Sequence, residues 1–232
     1  MIILYDHPLS GNCHKVRLFL SMVNLPYQSI YVDVLSRINR SAAYLSINPL
    51  GQVPVLSDGG VVVRDGQAIL VYLATRYAPE WAAQTPLGWA RIMEWLAIAA
   101  NEIGARLQLA RVHHLVPGHV EGIEIQRVRE KSLELLGLVD RHLQAREWLA
   151  ADRPTIADLA CFPYVGLARE GRLPLDDYTN IIKWIDRIAA LPGYVPMPGL
   201  PGSASLGEAG EEQQIQRWIE SYVSRSSWGR FA

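Results

Sequence analysis

Residues 48–69 read NPLGQVPVLSDGGVVVRDGQAI, and this segment indicates how the first part of the chain folds. Two short β-type runs, residues 54–57 and 60–63, flank Asp58-Gly59, a dipeptide that favours a tight hairpin turn. Residues 68–77 then carry apolar side chains at helical spacing. The stretch therefore predicts an antiparallel hairpin followed by a helix.

The residues before this stretch add a β-α-β unit. Residues 2–5 and 28–33 have β-type patterns, and between them residues 12–23 carry apolar side chains at i, i+3, i+4 and i+7. The combined order is β-α-β, a longer connection, then β-β-α. This order predicts an α/β thioredoxin-like N-terminal domain over residues 1–78.

The residues after the stretch contain no convincing strand. Four helices are predicted between residues 86 and 195, at 86–112, 121–147, 156–169 and 179–190, so this part is expected to be an all-α helical bundle. Residues 196–232 are predicted to form a Pro-, Gly- and Ser-rich connector and a C-terminal amphipathic helix. That helix has an apolar stripe, formed by Ile215, Trp218, Ile219, Tyr222 and Val223. The stripe could pack on the chain's own core, cover a substrate cleft or extend a dimer contact.

Composition excludes several classes of function. The 232 residues include 22 basic and 23 acidic side chains, a net charge of −1, so neither nucleic acid nor a membrane surface is an expected partner. The chain has only two cysteines, which suits a reducing compartment, and no pattern predicts a metal site. We find no signal-peptide pattern and no apolar run long enough to span a bilayer. A cytoplasmic location is expected.

The segment Ser10-Gly11-Asn12-Cys13 lies between the first strand and the first helix. A redox-active Cys-x-x-Cys pair would stand here in a thioredoxin-like fold, and Ser10 in its first position excludes dithiol exchange through that pair. The helix N-terminus offers free N–H groups and a partial positive charge, and a hydroxyl beside a ligand's sulfur favours the thiolate. The segment can therefore activate a thiol that the chain does not supply. Alternatively, Ser10 or Asn12 only caps the helix.

Two further segments could bind an extended peptide and the charged groups of an amino acid. A cis Val53–Pro54 bond would turn the backbone of Val53 outward to pair with an extended ligand; the alternative is an ordinary trans loop. Asp65 could bind an ammonium group, while the helix N-terminus after it could bind a carboxylate; the alternative is that Asp65 only caps the helix.

In this order and spacing, residues 4–18, 48–56 and 65–73 resemble the N-terminal domain of cytosolic glutathione S-transferases, in particular bacterial theta-, Nu- and zeta-like members. Pro154-Thr155-Ile156-Ala157-Asp158 is similar to a helix-start signature of that family's second domain, and Thr155 with Asp158 forms a capping-box pattern. The resemblance covers residues 1 to about 195 and does not include the tail.

The resemblance implies roles for single residues. Ser10 would donate a hydrogen bond to the glutathione sulfur, and Asn12 would be a second contact to the thiol. The remaining glutathione contacts would come from Gln52, Val53, cis Pro54, Asp65, Gly66 and Gln67. Gly66 stands where the family usually has a serine whose hydroxyl binds the γ-glutamyl carboxylate. The loss of that charge-assisted hydrogen bond is expected to weaken binding roughly ten- to a hundredfold.

The resemblance also implies an activity. Glutathione, as co-substrate or cofactor, would be conjugated to small hydrophobic electrophiles, in detoxification, by a homodimer. The electrophile pocket is expected between the domains, lined by the first helix of the second domain, with Asn101, Arg106, Arg111 and His113 as candidates. Three alternatives stay open: a glutathione-dependent disulfide-bond reductase, an isomerase, and a non-catalytic binding or interaction protein with this fold.

Overall fold

The computed structural model describes residues 1–116, 118, 120, 122–203, 219–220, 222–224 and 228–231. Its strands are β1 (Ile2–Asp6), β2 (Tyr27–Tyr31), β3 (Val55–Asp58), β4 (Val61–Arg64) and β5 (Gly229–Arg230). Its helices are α1 (Gly11–Met22), α2 (Ala42–Ile47), α3 (Gly66–Tyr77), α4 (Pro86–Ala97), α5 (Leu109–Leu115), α6 (Ile125–Leu143), α7 (Ile156–Gly166) and α8 (Thr179–Ala189).

The five strands form one mixed sheet in the order β4-β3-β1-β2-β5. Strand β1 pairs in parallel with β2 and antiparallel with β3, and β3 pairs antiparallel with β4 through the Asp58-Gly59-Gly60 turn. Helix α1 supplies the crossover between the two parallel strands, as such strands require. The thioredoxin-like arrangement and its hairpin are confirmed.

Helix α7 forms the centre of the helical part. Residues 156–165 are all buried, and the helix packs against α1, α3 and α4, so it joins the two halves of the chain in one core. The predicted capping box begins it, because Thr155 accepts from the backbone N–H of Ala157 and the Asp158 side chain accepts from that of Thr155. The helical character of the described residues between 86 and 189 is confirmed, while the predicted domain boundaries stay predictions.

Three elements differ from the sequence prediction. The connection before β3 contains the short helix α2, and residues Ile98–Gln108, between α4 and α5, are wound as a π-helix. Strand β5 lies where the sequence predicted only a helical tail. It pairs in parallel with β2, with Gly229 opposite Ile30 and Arg230 opposite Tyr31.

The described part of the tail packs on the chain's own core. Residues 219–220 and 222–224 are helical, as predicted, while Ile215 and Trp218 lie outside the described residues. Ile219 and Val223 are buried against Leu9, Tyr31 and Leu115. Beyond them, the Phe231 ring meets the edges of two neighbouring aromatic rings, those of Tyr5 and Tyr44. Among the described residues, no helix is long and apolar enough to cross a bilayer.

Candidate active site

A cleft of about 490 Å³ lies between the N-terminal sheet domain and the first helices of the helical part. One wall comes from the β1–α1 loop, the loop before β3 and the start of α3. The other comes from the π-helical segment, α5 and Tyr164 of α7. Each of the three segments singled out in the sequence contributes to the first wall, so the fold brings them together at one concave surface.

Ser10 is the N-cap of α1. Its Oγ accepts a hydrogen bond from the backbone N–H of Cys13 at 3.2 Å, which is the capping role considered from the sequence. A hydroxyl carries two lone pairs and one proton, so the cap uses an acceptor site and leaves the O–H able to donate. Capping and donation to a ligand's sulfur are therefore compatible. Cys13 itself is fully buried, and burial raises the pKa of its thiol, so it is a poor nucleophile.

Arg17 of α1 holds the first half of the loop that carries Ser10. Its guanidinium is paired with the buried carboxylate of Asp6. It also donates to the backbone oxygen of His7 at 3.3 Å and to that of Pro8 at 3.0 Å. The two loop carbonyls therefore have charged donors although they are buried.

Arg111 of α5 holds the next carbonyl from the other side of the cleft. Its Nη1 donates to the backbone oxygen of Leu9 at 2.8 Å, and its Nε donates to Glu170 at 2.6 Å. The side chains of Arg111 and Glu170 are only 3% and 7% exposed. Arg111 was expected to line the electrophile pocket, and it does line the cleft. Glu170 compensates the positive charge of Arg111. The backbone oxygen to which Arg111 donates belongs to the residue before Ser10.

Asn12 occupies the cleft beside Ser10. Its Oδ1 accepts from the Lys15 ammonium at 2.8 Å, and its Nδ2 donates across the cleft to Gln108 Oε1 at 3.4 Å. Because an ammonium only donates, the Lys15 contact identifies which side-chain atom of Asn12 is the oxygen. The N–H₂ end therefore faces the cleft.

The loop before β3 presents Gln52, Val53 and Pro54 to the cleft, and the Val53–Pro54 bond is cis. The backbone oxygen of Gln52 accepts from Tyr44 Oη at 2.9 Å and from Asn48 Nδ2 at 2.8 Å. These two contacts fix the loop from behind, so that its other side is available to a ligand.

Asp65 caps α3, which is the alternative role considered from the sequence. Its Oδ1 accepts from the backbone N–H groups of Gln67 and Ala68 at 2.8 and 3.2 Å, and its φ of +73° lies in the left-handed region. The cap thus occupies the N–H groups expected to bind a carboxylate. A Cβ atom at Gly66 would lie 3.2 Å from the Asn12 backbone oxygen, a tight contact, so the glycine suits the close approach of α3 to α1.

Three predicted electrophile-pocket residues do not line the cleft. Asn101 is exposed and donates to the backbone oxygen of Ala97 at the end of α4, and Arg106 pairs with Glu102 beside a separate shallow cavity. The ring of His113 packs on the ring of His114 instead. Their role at the electrophile stays a prediction. The face that the π-helical segment turns to the cleft presents Ala99, Ala100, Gly104 and Gln108 instead.

Several cleft residues escaped the sequence analysis. Tyr164 packs so closely on Gly11 that a Cβ there would lie 2.8 Å from its ring, and burial raises its pKa to about 12. His7 also lines the cleft; burial lowers its pKa to about 3, so it is neutral at physiological pH. Arg40, whose Nη1 donates to the Leu50 backbone oxygen at 3.0 Å, brings a positive charge to the rim. No local motif marks any of them.

Comparison with known proteins agrees with this geometry. A model described as the N-terminal domain of glutathione S-transferase matches residues 4–81, and one described as the C-terminal domain matches residues 101–192. Glutathione S-transferase 3 of Zea mays is 28% identical over 218 residues, covering 87% of this chain and 98% of that protein. Maleylacetoacetate isomerase of Pseudomonas aeruginosa is 31% identical over 197 residues, covering 82% and 92%.

Disulfide-bond oxidoreductase YfcG of Escherichia coli is 29% identical over 200 residues, covering 83% of this chain and 92% of that protein. Among solved structures, a glutathione S-transferase from Pseudomonas fluorescens superposes with a TM-score of 0.80 at 28% identity, covering 84% of this chain and 98% of that one. The chain belongs to the glutathione S-transferase family of enzymes.

Proposed function

We propose that the chain binds glutathione in the cleft and transfers its thiolate to a small hydrophobic electrophile, as in detoxification. The observation that carries the proposal is the position of Ser10. Its hydroxyl stands at the N-terminus of α1, accepts from the Cys13 N–H and has one proton with which it can donate to a ligand's sulfur. A hydrogen bond to the sulfur and the field of the helix terminus both favour the thiolate.

The rest of the cleft suits glutathione. The loop at Gln52, Val53 and cis Pro54 offers an extended backbone to the cysteinyl part, and the guanidinium of Arg40 suits a carboxylate. At the start of α3, the cap uses only Oδ1 of Asp65, so Oδ2 can accept from the α-ammonium group. Gly66 and Gln67 line the same end of the cleft and are expected to contact glutathione there. The reaction is expected to need no metal ion.

The apolar end of the cleft suits the second substrate. Leu9, Leu35, Leu115 and Val116 line it, and the same residues form a cluster with Ile219 and Val223 of the tail. In the proposed reaction the sulfur attacks an electrophilic carbon, a C–S bond forms, and the displaced group leaves with the bonding electron pair.

We also propose a cytoplasmic homodimer. Val61 and Val62 of β4, and Leu87 and Met93 of α4, are large apolar side chains that stay exposed in the single chain. Both cysteines are free and buried, which fits a reducing compartment. Light scattering at micromolar concentration tests the dimer.

The test of the activity is calorimetric titration with reduced glutathione, followed by conjugation of 1-chloro-2,4-dinitrobenzene. Ser10→Ala is expected to spare most of the affinity, to remove the thiolate absorbance of bound glutathione near neutral pH and to lower kcat by about 10²-fold or more. Ser46→Ala, which removes an exposed hydroxyl outside the cleft, is the matched control.

Two other outcomes would favour one of the two alternative enzyme activities, the reductase or the isomerase. Tight binding of oxidised glutathione with disulfide turnover would favour a reductase, and turnover of maleylacetoacetate would favour an isomerase. If the protein binds neither form of glutathione, the transferase proposal fails and a non-catalytic binding role takes its place.

A further inference from the structure

Lys15 is a lysine with no exposed surface, one turn along α1 from Asn12 and outside the catalytic roles assigned above. Its ammonium donates to Asn12 Oδ1 at 2.8 Å and lies 5.6 Å from the centre of the Tyr164 ring. Within the described part of the chain, no ion pair to Lys15 is found. A buried cation with a neutral acceptor is costly, so its retention calls for a function.

The groups that face this ammonium come from three helices. Asn12 lies on α1, Asp65 begins α3, and Cys161 and Tyr164 lie on α7. Burial lowers the pKa of Lys15 to about 8, although the Asp65 carboxylate acts in the other direction. The side chain is therefore mostly charged at neutral pH, directly behind the wall of the cleft.

The contact has a consequence for Asn12. A carboxamide can turn over and exchange its oxygen and its N–H₂ group with little change in shape. A charged donor behind Asn12 disfavours this exchange at neutral pH, because the N–H₂ group would then face an ammonium. The charge-assisted bond also polarises the amide and makes the N–H₂ group on the cleft side a stronger donor.

We propose that Lys15 is a positioning residue for thiol activation: it holds the Asn12 amide so that the N–H₂ group faces the sulfur of glutathione bound beside Ser10. The inference rests on the proposed function, because it concerns the thiolate of glutathione bound in the cleft. Without Lys15 the amide can present its oxygen, and an oxygen next to the sulfur disfavours the thiolate. Asn12 touches the ligand, and Lys15 acts through Asn12.

The test measures the pKa of the bound glutathione thiol from the thiolate absorbance as a function of pH. The variants are Lys15→Met, Asn12→Ala and the double variant. Lys15→Met is expected to raise that pKa by about one unit, which is a tenfold fall in the ratio of thiolate to thiol at a given pH. Because Lys15 acts through Asn12, adding Lys15→Met to Asn12→Ala is expected to cause no further rise. Lys183→Met, which removes an exposed lysine of α8, is the matched control and should change nothing.

Folding is checked by thermal unfolding, and removal of a buried unpaired charge should not destabilise the protein. If Lys15→Met does not fold, Lys15→Leu serves instead, since its apolar side chain has no donor for Asn12. Two results would overturn the assignment. One is a pKa of the bound glutathione thiol that stays unchanged in both Lys15 variants. The other is a double variant in which the pKa shifts of the two single variants add fully. Absence of bound thiolate in the wild-type protein would overturn the proposed function first, and the assignment with it.

Discussion

The ion pair between Arg111 and Glu170 leads to a prediction that separates stability from catalysis. The pair is almost fully buried, with Nε 2.6 Å from the carboxylate, and Arg111 also donates to the Leu9 backbone oxygen at 2.8 Å. Glu170→Met would leave a guanidinium buried without a counter-charge. Breaking such a pair costs about 3–5 kcal/mol of unfolding free energy. For a chain of this size that corresponds to a fall of about 1–2 M in the urea midpoint.

Removing both charges should cost much less. In Arg111→Met/Glu170→Met two apolar side chains replace the pair, and the expected stability lies within about 2 kcal/mol of the wild type. The Leu9 carbonyl nevertheless loses its donor, so the loop that carries Ser10 is held less firmly. We expect this stable double variant to lose at least tenfold in kcat.

Urea unfolding followed by tryptophan fluorescence, with conjugation kinetics on the same samples, measures both effects. Lys131→Met, which breaks the exposed contact between Lys131 and Glu134, is the control and should change stability by less than about 1 kcal/mol. The reasoning is refuted if the double variant loses as much unfolding free energy as Glu170→Met alone, or more. Wild-type kcat in the double variant would refute the positioning part alone.

Two further predictions concern stability. Asp158 accepts from the backbone N–H groups of Leu149 and Thr155 and from the Trp184 indole. Asp158→Ala should therefore lower the free energy of unfolding, measured in urea, by about 3–5 kcal/mol. A loss under about 1 kcal/mol would contradict this prediction. His14 is fully buried, and burial lowers its pKa well below the usual value. Below pH 6.5 the unfolded state therefore binds a proton at His14 that the folded state does not bind. The free energy of unfolding is expected to fall as the pH is lowered through this range. Compared with the wild type, His14→Leu should lose about 2 kcal/mol less stability between pH 7 and pH 5, whereas equal pH slopes would exclude His14 as the cause.

Local sequence patterns were enough to predict most of the fold. The hairpin at Asp58-Gly59 and the capping box at Thr155 follow from short-range chemistry, and both are present. Helix α2 has only six residues, too few to display a helical period. Strand β5 has two residues, and its conformation depends on pairing with β2, which lies about two hundred positions earlier. Contacts at such a separation leave no periodic trace in the sequence.

The candidate site was predictable where a motif carries it. Ser10, Asn12, Gln52, Val53 and the start of α3 meet at one cleft because short loops at one end of the sheet display them together. The opposite wall was not predictable in this way. Its residues are placed by α7 and by a π-helical winding, and neither has a local signature.

Strand β5 has a consequence for the order in which the sheet is built. During synthesis β1 to β4 leave the ribosome within the first 64 residues, while β5 follows only at residues 229–230. Until then the outer edge of β2 presents unpaired backbone groups, a surface to which another extended chain can add. The newly made protein therefore passes through a stage in which its sheet has four strands and an open side. β5 pairs only with Ile30 and Tyr31 at the end of that edge, so covering this end of β2 is a late, long-range step, and more unpaired backbone is exposed there until β5 forms.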